Sequence, residues 1–226
     1  TLGQGFSAAA ADATTSEEEV EINFAKALQM SLYFYDANKC GSGITGGNLE
    51  WRGDCHTEDA AVPLKPMGED YKGTNLSQEF IDAHRDILDP DGDGTIDVAG
   101  GMHDAGDHVK FCLPGSYAAS TLGWGYYEFR DAYVDSGQQW HIEDILHWFN
   151  DYYLKCTYFD ENGDILAFCY QVGEGDIDHN YWNAPELQNE SLLDFAWPAY
   201  FATVETPASD MCACLLYTSP SPRDRG

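Results

Sequence analysis

Positive charge is what this chain has least of: 11 lysines and arginines stand against 39 aspartates and glutamates, a formal net charge of −28. So little cationic surface cannot neutralise phosphates, which excludes nucleic acid and anionic membrane faces as partners. Long apolar runs are missing too. No stretch approaches the ~20 apolar residues of a membrane span, so no membrane partner is expected. Seven cysteines, at 40, 55, 112, 156, 169, 212 and 214, form no CxxC pair and keep no zinc-like spacing. Buried free thiols are expected rather than a disulfide framework. Neither a start methionine nor a signal-peptide pattern opens the chain at Thr1, and the N-terminus is read as cut.

What is present is enough for a core, with 43% apolar and 14% aromatic residues. Residues 1 to 21, with SAAAADATTSEEE at their centre, read as a linker or lead-in. Helical spacing begins at Ile22 and runs through Ala25, Leu28, Leu32 and Tyr35 to stop signals at Gly41 and Gly43. A second helix is expected over 116–132. The clearest is WHIEDILHWFNDYYLKC, whose Ile142, Ile145, Leu146, Phe149 and Tyr153 make one stripe. Then KCTYFDENGDILAFCYQV reads as a β-hairpin around Asn162 and Gly163, lying outside the helical core. The last thirteen residues, CLLYTSPSPRDRG, are basic and rich in Ser and Pro. A DNA string resembling a common sequencing-library transposon adapter translates to Cys214 through Asp224, so 214–226 is read as a non-native tail and the chain as a fragment.

A long Gly- and Asp-rich loop, 41–115, ends in GGMHDAGDHVKF. Asp104 and Asp107 are spaced so that a turn brings their carboxylates to one water, and two close negative charges raise the proton affinity of one of them. Upstream, DPDGDGTID sets Asp89, Asp91, Asp93 and Asp97 at positions 1, 3, 5 and 9 of a calcium-type loop, with Gly94 at position 6. Position 12 is Gly100 rather than a bidentate glutamate, which disfavours an EF-hand. A structural calcium ion that stiffens the neighbouring aspartate loop is the expectation.

SLYFYDANKCG at 31–41, LEWRGD at 49–54, HDAGDHVKF at 103–111 and YQVGEGDIDHNYWNAPE at 170–186 together resemble glycoside hydrolase family 9, the cellulases, in order and spacing, and PASDMCA at 207–213 continues the match. The resemblance covers 22–213 and implies an all-α (α/α)6 barrel reaching about its first half, with a small β-hairpin and long loops. It implies inverting hydrolysis of β-1,4-glucan, with cellulose as partner and an extracellular, secreted setting. Carried over by position, Asp107 is the general base, Asp104 holds the water, and His179 and Trp182 contact glucose. A Trp face suits the apolar face of a pyranose, and an imidazole suits its hydroxyls. The resemblance also implies a general acid, a glutamate near the end of the family's catalytic domain and past the start of the tail, and neither Glu174 nor Glu186 matches its motif. His103 is read as structural and His108 as positioning the loop. A rival reading, a glucan-binding module without catalysis, uses the same aromatics, and a third, a structural calcium module, is opposed by the cleft-type motifs outside 89–97.

Overall fold

The computed structural model describes residues 22–189 and 197–208. The lead-in 1–21, the end of PASDMCA and the tail 214–226 lie outside the described residues.

Three long helices, which the sequence periodicity anticipates, form one side. Helix α1 spans Phe24–Asn38 and starts two residues later than its apolar series suggests, because the Asn23 side chain caps it by accepting from Lys26 N at 2.9 Å. Ile22 is left 63% exposed. Short helices α2 (Gln78–Ala83) and α3 (Arg85–Leu88) follow within the long loop. Helix α4 spans Cys112–Glu128 and breaks at Phe129 before the short α5, Arg130–Asp135. Helix α6 is Gln139–Lys155, within a residue of its expected bounds. Its Ile142, Ile145 and Phe149 pack with Leu32 of α1, Met102 and Tyr133, while Tyr152 and the adjoining Cys156 turn toward a second core.

That second core corrects the all-α expectation. Strands β1 (Val62–Pro63) and β2 (Thr95–Ile96) pair antiparallel across the loop. The other four are β3 (Lys110–Phe111), β4 (Thr157–Phe159), β5 (Ile165–Val172) and β6 (Ala199–Thr203). The predicted hairpin is β4 and β5, turning at Gly163, yet β5 does not lie outside the core. It pairs with all of β3, β4 and β6, and its Ala167, Phe168, Cys169 and Val172 sit inside the larger apolar cluster. The sequence reading missed β6 because its pairing is distant in sequence.

Strand β3 explains where the site is. Lys110 pairs with Val172 and Phe111 with Gln171, so the loop before Lys110 and the chain after Val172 leave the sheet side by side. Helix α7, Gly175–Asp178, begins three residues beyond that pairing. Glycine shapes the approach: Gly101 has φ +75, and a Cβ there would lie 2.7 Å from the Tyr152 ring. Its carbonyl accepts from Cys40 N at 2.9 Å and from Trp148 Nε1 at 2.7 Å.

Lys110 itself is 1% exposed. Its Nζ lies 2.6 Å from Asp59 Oδ2, donates to Val98 O at 2.7 Å and sits 5.0 Å over the Tyr152 ring. Burial alone would strip its proton, but the Asp59 charge holds the ammonium above its usual range. Removing one partner leaves the other buried and unpaired, so Lys110→Met should cost ~3–5 kcal/mol in urea unfolding, whereas Lys110→Met with Asp59→Leu should recover most of that loss.

Candidate active site

The aspartate loop closes on itself: Asp104 N donates to Val109 O at 3.0 Å, and His103 N donates to Asn38 O at 2.8 Å. Asp107 is the sheltered carboxylate, its side chain 10% exposed, with Oδ2 3.2 Å from Nδ1 of His179, which is 65% exposed. Asp104 stands more open. Partial burial and then the Asp107 charge push its carboxyl above the ordinary value, with His179 pulling the other way. The charge effect expected of the pair is felt at Asp104. Trp182 is 85% exposed, so it is not a core residue. The structure thus joins Asp104, Asp107 and His179, and leaves Trp182 standing free on the turn after α7.

Beneath this loop lies a buried network. Asp178, in α7, accepts from the His108 backbone N–H through Oδ2 at 2.6 Å and from Gln188 Nε2 through Oδ1 at 2.7 Å. Gln188 Oε1 in turn accepts from His108 Nδ1 at 2.6 Å and His56 Nε2 at 3.0 Å. His108 positions the loop, as the sequence reading has it. Glu186 is held by Arg52 Nε at 2.7 Å and Gly53 N at 2.9 Å, while Glu174 caps α7 and accepts from Tyr200 Oη at 2.9 Å. Both glutamates are in structural use.

The absence of zinc-like spacing does not carry into three dimensions. Cys40, Cys55, His56 and His103 are all buried, and one ligand atom from each lies within 4.8 Å of the rest. Two thiolates and two imidazoles are the donor set of a closed tetrahedral zinc site. The electrostatics divide the set: the hydrogen bond with Cys40, then His103 and His56, draws the Cys55 thiol far below its usual range and burial pushes His103 down to about 3, whereas burial pushes the Cys40 thiol up and, against burial, the Cys55 hydrogen bond and the Asp59 charge raise His56. Thiolate and neutral imidazole are the ligating forms. His56 holds a left-handed backbone at φ 47, ψ 41, and its ring stacks on Trp197 at 4.5 Å. His103, read from sequence as structural, belongs to this cluster. The signal is scattered over 63 positions of chain, but the adjacent Cys55 and His56 in a Gly-rich loop were its visible part.

The acidic loop is also gathered. Asp89, Asp91 and Asp93 each offer an oxygen within the same 4.8 Å limit. Asp89 is buried and its Oδ1 has no hydrogen-bond partner, while Oδ2 accepts from Gly94 N at 3.1 Å. A buried carboxylate with one unpartnered oxygen, gathered with two further carboxylates, fits a hard cation. Asp97 does not join: Oδ1 accepts from Ala99 N at 2.9 Å, and Oδ2 pairs with Lys155 at 3.1 Å. The expected four-aspartate set is thereby reduced to three.

Residues 24–216 match the family model described as Glycosyl hydrolase family 9. The chain belongs to that family. It is 30% identical over 202 residues to Endoglucanase A of Bacillus pumilus, an alignment covering 89% of this chain and 24% of the relative. Among solved structures, the catalytic domain of Clostridium thermocellum CelT is 50% identical with a TM-score of 0.77, covering 87% of this chain and 39% of that one. The cellulase Cel9M of C. cellulolyticum in complex with cellobiose is 33% identical with a TM-score of 0.57, covering 87% and 38%. The chain thus spans about a quarter of the curated relative and about two fifths of the solved domains. The likeness supports the helical-barrel expectation, with a sheet added that the all-α reading omits. If the cysteine-histidine cluster binds metal, cobalt(II) should give thiolate charge-transfer absorption with a single equivalent, and Cys55→Ser should weaken that band and the affinity together.

Proposed function

We propose that the chain supplies the base side of an extracellular cellulase that hydrolyses β-1,4-glucosidic bonds with inversion. The observation that carries this reading is the sheltered Asp107 carboxylate, set beside His179 and next to an Asp104 whose proton affinity is raised. Asp107 accepts the proton of an attacking water, and Asp104 helps hold that water. An imidazole within 3.2 Å of Asp107 fixes the carboxylate's orientation while its exposed edge remains available to sugar hydroxyls. Trp182 offers a free indole face to a pyranose. Family relatives include a cellulase seen with cellobiose, which supports β-1,4-glucan as the ligand. Inversion also needs an acid ~6.5–9.5 Å from the base. The family resemblance assigns that acid to the part of the catalytic domain that these 226 residues do not span, and Glu174 and Glu186 are hydrogen-bonded to Tyr200 and Arg52.

Calcium at Asp89, Asp91 and Asp93 is proposed as a structural ion. It would neutralise the orphaned Asp89 oxygen and fix the turn through Gly94, whose carbonyl accepts from Leu64 N at 3.0 Å, so that β2 enters its pairing with β1 in place.

Two measurements test these roles. With the chain joined to the remainder of a family 9 catalytic domain, Asp107→Asn should lower reducing-sugar release from carboxymethylcellulose by ~10²–10⁴ while leaving oligosaccharide binding within a few-fold. Turnover at the parent rate sinks the assignment, and binding without release in the parent favours a non-catalytic glucan module. For the ion, added calcium should raise the melting temperature and a chelator should lower it, in line with ~2.7 kcal/mol at a hundredfold excess over Kd. Asp89→Asn should abolish that response, and a melting curve indifferent to calcium removes the ion from the account.

A further inference from the structure

We propose that Gln188 is a positioning residue that sets the proton on His56, and thereby joins the cysteine-histidine cluster to the loop that carries Asp107. The inference rests on reading that cluster as a metal centre.

The argument is a chain of donors and acceptors. The Asp178 carboxylate can only accept, so the Gln188 amide must present its N–H2 to Oδ1, at 2.7 Å. That fixes which way the amide faces, and Oε1 is turned to the two imidazoles. A carbonyl oxygen also only accepts, so both rings must give it an N–H: His108 from Nδ1 at 2.6 Å and His56 from Nε2 at 3.0 Å. A neutral imidazole has one N–H. With it on Nε2, His56 is left with a bare Nδ1, and Nδ1 is the atom that faces Cys40 Sγ at 3.8 Å and His103 Nε2 at 3.3 Å. The lone pair needed for a metal is therefore selected two side chains away, at Asp178.

The same carboxylate holds the other end. Asp178 Oδ2 accepts the backbone N–H of His108 at 2.6 Å, and His108 directly follows Asp107. One carboxylate and one amide, 1% and 3% exposed, thus fix both a cluster imidazole and the peptide after the candidate base. The hydrogen bonds that run from Asp178 through Gln188 to the two histidines are all 3.0 Å or shorter. Partners of this kind orient metal-bound histidines.

An isosteric exchange tests the relay without emptying it. In Asp178→Asn, the new N–H2 opposes a donor whichever way it turns. The His108 backbone N–H cannot turn away, so the N–H2 faces Gln188, the glutamine amide flips, its N–H2 faces His56, and the His56 proton moves to Nδ1. Asp178→Asn combined with Gln188→Glu restores an acceptor toward both histidines at unchanged total charge. Titrating the full chain with cobalt(II), the single variant should bind ~10–100-fold more weakly with a diminished thiolate charge-transfer band, and the double variant should return close to the parent. In parallel, histidine 15N shifts of the metal-free proteins, recorded where imidazole is neutral, should place the His56 proton on Nε2 in the parent and double variant and move it off Nε2 in the single variant. Circular dichroism melts establish that each variant is folded. A parent His56 protonated on Nδ1, or an Asp178→Asn variant with unchanged His56 shifts and cobalt affinity, overturns the proposal. If the parent takes up no cobalt while the shifts follow the pattern, the metal reading fails and the coupling to a metal falls with it, but the control of the His56 proton by Gln188 stands.

Discussion

The ion pair between Lys110 and Asp59 is the constraint on which the site depends. A lysine wholly removed from water is tolerated only because a carboxylate, a carbonyl and an aromatic face surround its ammonium. Those three come from different parts of the chain: Asp59 from the loop, Val98 from the segment after the acidic turn, and Tyr152 from α6. The residue that gathers them ends the HDAGDHVK sequence. The aspartate loop is therefore anchored from below by a group that has no part in its chemistry, and its own carboxylates are left to face outward.

Around that anchor the structure stacks two polar layers. The upper one, Asp104, Asp107 and His179, reaches solvent. The lower one, Asp178, Gln188, His56 and His108, does not. Polar groups buried so completely are costly unless every one is satisfied, and the carboxylate and amide at the centre of this layer satisfy one another. Rigidity below and access above is the arrangement expected where a base must keep its place while a large substrate comes and goes.

The long helices were legible because burial repeats along them every three or four residues, as in Ile142, Ile145 and Phe149. The aspartates were legible because two carboxylates cannot be set so close without consequence. Less could be read where meaning comes from pairing. Strand β5 looked like one arm of a peripheral hairpin because its partners β3 and β6 are far along the chain. Asp97 fits the calcium spacing in one dimension, yet Lys155, 58 residues away, takes it out of the group. Likewise, no period or motif announces Cys40, Cys55, His56 and His103 as neighbours, since the loop that brings them together is folded by glycines such as Gly101 and by the strand pairing behind it.

Strand β3 is only two residues long, and the alternation of a strand means that a slip by one position exchanges its faces. Hydrogen bonds alone would barely resist such an error over so short a length. A slip here would carry Lys110 out and bring Phe111 against the Asp59 carboxylate, stranding a charge in the core. At ~3–5 kcal/mol for an unpaired buried charge, and 1.4 kcal/mol for each factor of ten, misregistered molecules would number on the order of one in a hundred to one in a few thousand. Buried charge in this fold thus acts as a proofreader of alignment, and what it checks is whether Asp107 lies opposite His179 or one residue out of place.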